Sequence, residues 1–343
     1  MRVLVKISHP AHVHFFKNFI WEMEERGHEI FVLATPREMA LKLLDLYGID
    51  YETYKSKRKF DFLKIRGQLR LNYETWKRVV KFELDFLTGI GGTSISHVSR
   101  FTKAPSVVFT DTEHAGIQNN FTFPFSDYIC TPDCYLDDLG PKQIRYPGYH
   151  ELAYLHPNRF SPDSSVLDYI DADKDDKIVI LRLIAWQAIH DVGHSGFGDV
   201  VDVVHRLEST GAEVVITAEG DIPEEVEHCQ SKIPPHRMHD LMYYSNLYIG
   251  ESGTMATESA ILGTPAILVS TQRPGTWEEL DNKYGLINHF FDKNSHRRII
   301  KRATSILKNY DSKKWKRRQK RLLKEKIDVT KFMIDLFENI NEG

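Results

Sequence analysis

The segment at residues 248–269 is the part of this sequence that most constrains the fold. It reads Tyr-Ile-Gly-Glu-Ser-Gly-Thr-Met-Ala-Thr-Glu-Ser-Ala-Ile-Leu-Gly-Thr-Pro-Ala-Ile-Leu-Val. The pattern predicts a buried strand, a turn of small residues, a helix, a Gly-Thr-Pro break and a second buried strand, as in a parallel sheet. The turn formed by Glu251, Ser252, Gly253 and Thr254 offers hydroxyls and backbone N–H groups at a helix N-terminus, which predicts a phosphate site. Glu258, one helical turn further on, is expected to meet a sugar hydroxyl.

The same alternation of strands and helices runs through the rest of the chain. In the first half we predict strands at residues 3–7, 29–34, 49–54, 85–89, 106–110 and 125–131, with helices at 13–26 and 37–47. In the second half we predict strands at residues 177–183 and 213–218 and helices at 199–211 and 239–245, before the segment described above. Such alternation with short connections indicates parallel, doubly wound sheets.

The length of 343 residues predicts two domains of ordinary size. We expect an α/β protein with two Rossmann-like doubly wound domains facing a cleft, at residues 1–157 and 158–311. Residues 312–343 are expected to form a helical segment that crosses back to the first domain. Ligands of such sheets bind at the carboxyl ends of the strands, so side chains there are the first candidates for function.

Charge and composition exclude several classes of protein. The net charge is −3, from 45 basic and 48 acidic residues, so the protein has no overall positive potential that would attract nucleic acid. No apolar run reaches the roughly 18 residues of a membrane span, and three cysteines form no even framework, so we expect a cytoplasmic location. Basic tracts at residues 55–70 and 313–321 are expected to be solvated faces or, where aromatic residues interleave the first tract, a peripheral contact with an anionic membrane.

Histidines lie between the first predicted strand and the first predicted helix, in Ser8-His-Pro-Ala-His-Val-His14. His9 and His12 are expected at the ligand-binding edge of the sheet, where an imidazole can act as general base because its pKa lies near neutrality. A capping or structural role and metal ligation are the alternatives. Neighbouring turn residues seldom converge on one ion, so we expect no metal.

Two further turns in the first half follow predicted strands. Gly91, Gly92 and Thr93 are expected to form an acceptor-side loop, although the glycines are also explained by close helix packing. Three titratable residues come next, in a stretch where burial could separate their pKa values: Asp111, Glu113 and His114. The alternative is a helix start capped by Asp111 or Thr112, with Glu113 interacting favourably with the helix dipole.

The second half adds an arginine to the predicted phosphate turn. Arg182 lies at the end of the strand predicted at residues 177–183, where a guanidinium suits a diphosphate; a structural ion pair is the alternative. The glycine-rich residues 191–198 are expected to form a flexible loop that closes on a ligand.

Four motifs together carry a resemblance to a known family: residues 9–15, 91–94, 109–114 and 253–265. On these motifs the chain resembles, nearly end to end, the prokaryotic family named domain of unknown function 354. That family is similar to the GT-B superfamily, which contains UDP-N-acetylglucosamine 2-epimerases and the lipid-linked N-acetylglucosaminyltransferase of peptidoglycan synthesis. The resemblance implies a nucleotide-sugar substrate and chemistry that needs no metal or cofactor.

The resemblance also implies roles for individual residues. Ser252, Gly253 and Thr254 would hold the diphosphate, Glu258 would bind the ribose, and residues 235–241, which include His239, would flank the uracil. Arg273 lies in Thr-Gln-Arg-Pro, a segment similar to the Thr-Glu-Arg-Pro of the epimerases. His12 falls closest to a histidine that lies near the acceptor in the transferase.

One motif departs from the epimerase pattern. The epimerase sequence His-x-Glu-Ala-Gly-Leu-Arg is replaced here by Thr112-Glu-His-Ala-Gly-Ile-Gln118, so its arginine is lost. We therefore expect a glycosyltransferase of polysaccharide biosynthesis that moves a sugar from a UDP-linked donor to a glycan or lipid-linked acceptor. His12, or Asp111 with His114, would act as base, and Arg182 would stabilise the leaving diphosphate. The alternatives are a non-hydrolysing or hydrolysing UDP-N-acetylglucosamine 2-epimerase and a non-catalytic nucleotide-sugar-binding protein.

Overall fold

The computed structural model describes residues 1–54, 64–183, 199–218, 220–291 and 295–342. The chain divides into two compact units. The first comprises Met1–Arg159 together with Lys326–Gly343, and the second comprises Phe160–Glu325.

Parallel strands and their covering helices make up both units. The strands are β1 Arg2–Ile7, β2 Glu29–Ala34, β3 Glu52–Thr53, β4 Phe86–Ile90, β5 Ser106–Phe109, β6 Tyr128–Pro132, β7 Gln143–Tyr146, β8 Lys177–Leu183, β9 Ala212–Ala218, β10 Leu247–Gly250, β11 Ala266–Val269 and β12 Ile287–Phe290. The helices are α1 Pro10–Glu25, α2 Glu38–Leu46, α3 Lys64–Phe82, α4 Thr93–Ser99, α5 Gly116–Thr122, α6 Leu152–Leu155, α7 Val200–Glu208, α8 Met238–Tyr244, α9 Gly253–Leu262, α10 Gly275–Asn282, α11 His296–Lys308, α12 Ser312–Glu325 and α13 Val329–Glu342.

The first unit contains a parallel sheet in the order β3-β2-β1-β4-β5-β6-β7. Strand order reverses between β1 and β4, so the segments that follow these two strands emerge side by side at the carboxyl edge, where α/β proteins bind ligands. Right-handed crossovers in opposite directions place α1 and α2 on one face of the sheet and α4 and α5 on the other. Helix α1 packs against α2, α6 and α13, whereas α4 packs against α3 and α5.

Apolar side chains of α1 and β1 form the centre of the first unit's core. Val3, Leu4 and Val5 of β1 are almost fully buried, as expected of a strand covered on both faces. Phe16 and Phe19 of α1 are also buried, one turn apart on the face that meets the sheet.

The second unit contains a parallel sheet in the order β12-β11-β10-β8-β9. Its strand order reverses between β8 and β10, which lie in register with Arg182 beside Gly250. The turn that joins β10 to α9 therefore lies at the position where doubly wound sheets bind phosphate-containing ligands. This is the turn that the sequence predicts as a phosphate site.

The C-terminal segment differs from the prediction of one helical segment returning to the first domain. Residues 312–325 form α12, which stays with the second unit: the Gln319 side chain donates a hydrogen bond to the Ile261 carbonyl (2.8 Å), and Trp315 is buried. Only α13 belongs to the first unit. The two helices separate near Asp328, because its carboxylate accepts a hydrogen bond from the Lys331 backbone N–H (3.1 Å) at the start of α13.

Several elements were not predicted from the sequence. Strands β7 and β12 lie at sheet edges, and polar residues interrupt their apolar pattern (Gln-Ile-Arg-Tyr and Ile-Asn-His-Phe). Edge strands are covered less completely than central ones, so a fully apolar run is not required there. The strand predicted at residues 49–54 shortens to β3, and helices α3, α4, α10 and α11 also lacked a prediction.

A test of the first unit's core follows from Phe337 of α13. Its ring lies 5.1 Å from the Phe19 ring and 5.4 Å from the Phe86 ring, and it is fully buried. Phe337→Ala should lower the free energy of unfolding by about 3–5 kcal/mol, measured by urea denaturation, because it leaves a cavity between α13, α1 and the sheet. Phe121→Ala, the same change at an exposed site of the same unit, should change it by no more than about 0.5 kcal/mol. Equal effects of the two changes would contradict the packing of α13 on this core.

Candidate functional site

Two clusters, one in each unit, contain the predicted site residues. In the first unit, Ser8 and His9 connect β1 to α1, and His9 Nδ1 accepts a hydrogen bond from the Ala11 backbone N–H (3.2 Å). His9 is thus the N-cap of α1, with Pro10 at the first helical position. The structure supports the capping alternative for this exposed histidine.

His12 lies in the first turn of α1, with its ring half-buried at the carboxyl edge of the sheet. Its Nδ1 accepts a hydrogen bond from the Ser8 backbone N–H (3.4 Å), which leaves the ring proton on Nε2. Burial, with the nearby charges of His9, His150 and Lys6, lowers the pKa of His12 to about 3, and Asp111 opposes the shift. His12 is therefore a neutral hydrogen-bond donor at physiological pH, which makes it a weaker base than the sequence suggested.

The pair formed by Asp111 and His150 is better arranged for proton transfer. His150 Nδ1 lies 3.2 Å from Asp111 Oδ2, and the Thr112 hydroxyl donates to Asp111 Oδ1 (2.9 Å). Burial would raise the pKa of Asp111, but the charge and hydrogen bond of His150 lower it to about 2. His150 Nε2 is buried and has no hydrogen-bond partner among the described residues. A carboxylate that orients an imidazole through Nδ1, with no partner on Nε2, is the arrangement of a general base.

Sequence reasoning missed two members of this cluster. His150 follows β7, an edge strand whose apolar pattern is interrupted by polar residues, so the sequence pattern did not indicate a strand end near His150. Lys6 is within β1, and burial lowers its pKa to about 8. A lysine inside an otherwise apolar strand was the available signal.

The other predicted residues of the first unit lie around this cluster. Glu113 turns away, since its Oε1 accepts a hydrogen bond from the Leu136 backbone N–H (3.2 Å), and His114 is exposed. Of the predicted trio, the structure brings Asp111 to the histidines.

The loop of Gly91, Gly92 and Thr93, for which an acceptor contact stays a prediction, is fastened to α5. Gly91 has a φ of +56° and its carbonyl accepts a hydrogen bond from Gln118 Nε2 (2.7 Å), where a side chain at Gly91 would overlap Gln118. Gly92 is the N-cap residue of α4, and the Thr93 hydroxyl lies 2.7 Å from the Thr122 hydroxyl. Gln118, which stands where the epimerase motif has arginine, thus supports the loop in this chain.

In the second unit, the turn before α9 is held rigidly. The Ser252 hydroxyl accepts a hydrogen bond from the Met255 backbone N–H (3.3 Å), and the Tyr248 hydroxyl donates to the Ser252 carbonyl (3.1 Å). A side chain at Gly250 would overlap the Tyr248 hydroxyl and come within 2.8 Å of Arg182 Cβ. Glycine at this position therefore lets the arginine of β8 lie against the end of β10.

The turn residues Glu251 and Ser252 and the first residues of α9, Gly253 and Thr254, are all half-buried at the switch point. Trp277 of α10 packs against Gly253, where any side chain would overlap the indole ring. The first N–H groups of a helix have no intrahelical acceptor, so this end of α9 can receive a phosphate beside Arg182.

His239 and Glu258 form a buried pair behind the turn. His239 Nε2 lies 2.9 Å from Glu258 Oε1, and the two side chains are about 6% and 5% exposed. This pair ties α8 to α9. The ribose contact of Glu258 stays a prediction, to which the structure adds His239 as the neighbour of that carboxylate.

Arg273 lies after the next strand, β11, and its guanidinium carbon is 3.6 Å from the centre of the Phe291 ring. This exposed cation–π contact positions the arginine at the same edge of the sheet as the α9 turn. The loop predicted at residues 191–198 lies outside the described residues, as do residues 55–63 of the first basic tract.

The chain belongs to the family described as "Protein of unknown function (DUF354)", which matches residues 1–342. An uncharacterized protein of Methanocaldococcus jannaschii is 24% identical over 286 residues, covering 77% of this chain and 80% of that protein. The UDP-GlcNAc 2-epimerase of Neisseria meningitidis has a similar structure, with a TM-score of 0.72 and 13% identity over 99% of this chain and 100% of the other. A glycosyltransferase of Streptomyces sp. SF2575 gives a TM-score of 0.60 and 12% identity over 97% of this chain and 99% of the other. The chain therefore has the GT-B fold, with two Rossmann-like domains.

The depressed pKa of His12 predicts a dependence of stability on pH. The folded protein binds a proton at His12 only near pH 3, whereas the unfolded chain binds it near the ordinary value of about 6.5. Stability should therefore fall as the pH drops from about 6.5 towards 3, by at most about 1.4 kcal/mol per pH unit from this residue.

His12→Asn should remove this contribution, because the amide oxygen accepts the Ser8 hydrogen bond without titrating. The measurement is the free energy of unfolding in urea at about pH 7 and about pH 5 for both proteins. The loss on acidification should be smaller in the variant, and unchanged in His114→Asn, a replacement at an exposed site. An equal loss in wild type and His12→Asn would show that His12 titrates normally.

Proposed function

We propose that this protein is a metal-independent glycosyltransferase that transfers a sugar from a UDP-linked donor to a hydroxyl of a glycan or lipid-linked acceptor. The observation that carries the proposal is the α9 turn: Arg182 of β8 lies in register with Gly250 at the end of β10, and α9 begins at Gly253, three residues further on. The imidazole of His150, oriented by Asp111 at the edge of the other sheet, supplies the second requirement, a base.

The donor's diphosphate is expected at the α9 turn. The N-terminus of a helix favours an anion, and an adjacent guanidinium can form paired hydrogen bonds with phosphate oxygens. Tyr248, Gly250 and Trp277 hold this turn in place, so little reorganisation is needed when charge develops on the leaving group. The Neisseria meningitidis protein that shares this fold was solved with UDP-GlcNAc bound, which supports a UDP-linked donor.

On the acceptor side, His150 Nε2 would take the proton of the attacking hydroxyl. The acceptor oxygen then forms a bond to the anomeric carbon of the sugar, and the bond from that carbon to the diphosphate oxygen breaks. The proton is held on His150, whose positive charge is stabilised by Asp111, and the electron pair leaves with UDP. His12, a neutral donor, would orient the acceptor through Nε2–H rather than deprotonate it.

The diphosphate assignment predicts a selective effect of Arg182. Arg182→Gln should weaken UDP binding at least about tenfold in isothermal titration calorimetry, because a charged hydrogen bond to phosphate is lost. Uridine affinity should change by less than about twofold, since uridine has no phosphate. Arg182→Lys should retain part of the UDP affinity, and Arg317→Gln, which removes an exposed arginine of α12, should retain all of it. Equal weakening of UDP and uridine binding, or no UDP binding by the wild type, would contradict the assignment.

The base assignment predicts a loss of turnover without a loss of binding. His150→Gln should keep UDP affinity but slow UDP release from UDP-sugars at least about a hundredfold, with a membrane lipid extract supplied as acceptor. Asp111→Asn should slow it as well, because the imidazole loses its orienting partner.

The products of the same assay separate the alternatives. UDP release that requires the acceptor supports the transferase. Conversion of UDP-N-acetylglucosamine to its 2-epimer without acceptor would show that the protein is an epimerase and not a transferase. UDP binding without turnover would indicate a non-catalytic binding protein.

A further inference from the structure

Helix α3 of the first unit has an exposed apolar face. Four large side chains are 61, 57, 41 and 55% exposed and form what we term the apolar stripe: Leu69, Tyr73, Trp76 and Val80. Their spacing of four, three and four residues places them on one side of the helix. Thr75 and Val79 of α3 are buried instead, and Val79 belongs to the core, so the stripe is additional to the face that α3 needs for folding.

A row of exposed basic residues lies along one flank of the apolar stripe. We term Arg66, Arg70, Lys77 and Lys81 the basic row. Three of the four directly follow a stripe residue in sequence. Each step along a helix turns the side chain by about 100°, so these three lie on the same flank of the apolar stripe. The single acidic residue of α3, Glu74, lies 2.9 Å from Arg78 on the far side of the basic row.

The apolar surface continues onto the neighbouring helices. His97 of α4 joins them: its Nδ1 lies 2.9 Å from Asn72 Nδ2 on α3, and its Nε2 lies 2.8 Å from the carbonyl oxygen of Phe121 on α5. Further exposed large side chains lie on α5 (Ile117 and Phe121) and in the turns that follow α4 and α5 (Phe101 and Phe125). On the other face of the sheet, α2 exposes Met39 and Leu46. Much of the first unit's exposed apolar surface thus lies on α3, on α5 and in the turns that follow α4 and α5.

We propose that this surface docks on an anionic lipid bilayer, with the apolar stripe in the boundary between headgroups and acyl chains and the basic row against lipid phosphates. An amphipathic helix with aromatic and aliphatic residues beside a positive flank binds in the plane of such a bilayer. None of the described helices is both long and apolar enough to cross a membrane. Pairing this positively charged surface with a second copy of itself would oppose like charges, whereas anionic lipid complements them.

The test is co-sedimentation of the whole protein with two kinds of vesicle, phosphatidylcholine alone and equal parts of phosphatidylcholine and phosphatidylglycerol. The wild type should bind the mixed vesicles at least about tenfold more tightly than the neutral ones, and added salt should weaken that preference. Leu69→Ser with Trp76→Ser should reduce binding to the mixed vesicles at least about tenfold. Met39→Ser with Leu46→Ser, the matched change on α2, should leave it unchanged.

The basic row has a matched control in α12. Replacing Arg66, Arg70, Lys77 and Lys81 together with glutamine should remove the preference for anionic vesicles. The same replacement of four exposed residues of α12, Lys313, Lys316, Arg317 and Lys320, removes equal charge from the second unit and should preserve it.

Two results would overturn the proposal. One is equal loss of vesicle binding in the α3 and α12 charge variants, which would indicate a non-specific effect of net charge. The other is absence of vesicle binding by the wild type. If the wild type is then a dimer in light scattering, and the double variant Leu69→Ser with Trp76→Ser is a monomer, the apolar stripe is assigned to contact with a second copy. UDP affinity is measured in parallel and should be equal in all these proteins, so the outcome is independent of the proposed transferase activity.

Discussion

The close contact of Arg182 and Tyr248 with the backbone of Gly250 is the constraint on which the candidate donor site depends. Ligands of doubly wound sheets bind where adjacent strands end at the switch point, and here a side chain on Gly250 would lie within 2.8 Å of Arg182 Cβ. Gly250 provides that space, and the buried Tyr248 hydroxyl occupies it by bonding to the Ser252 carbonyl. The geometry of the turn is therefore set by core packing before any ligand is present, which is the condition for electrostatic stabilisation without reorganisation.

The first unit shows how environment gives different properties to the same residue type. His9 is exposed and caps α1, His12 is neutral because burial and neighbouring positive charge depress its pKa, and His150 is paired with Asp111. Only the last arrangement combines an orienting carboxylate with a nitrogen that has no partner among the described residues. Residue type and strand position predicted a cluster of histidines at this edge, whereas the role of each depended on its hydrogen bonds.

The sequence predicted the parallel alternation and the α9 turn because both arise from local patterns: apolar runs, small residues and a helix start. It did not predict His150, since β7 is an edge strand whose polar residues obscure its pattern. Lys6 was missed because its burial depends on the sheet and not on its neighbours in sequence. The predicted C-terminal helix divided into α12 and α13, since the capping carboxylate of Asp328 was not recognised as a helix start.

The helical layer α3–α5 connects the candidate acceptor side with the exposed apolar surface. The Gly91 carbonyl is held by Gln118 of α5, and Thr93 is held by Thr122 of the same helix. Ile117 and Phe121 alternate with these two supporting residues along α5 and are exposed. One short helix thus holds the loop at residues 91–93 with one side and exposes apolar side chains on the other. If both proposals hold, a lipid-linked acceptor would reach the loop from the bilayer surface on which the layer rests, with its lipid anchor still in the membrane.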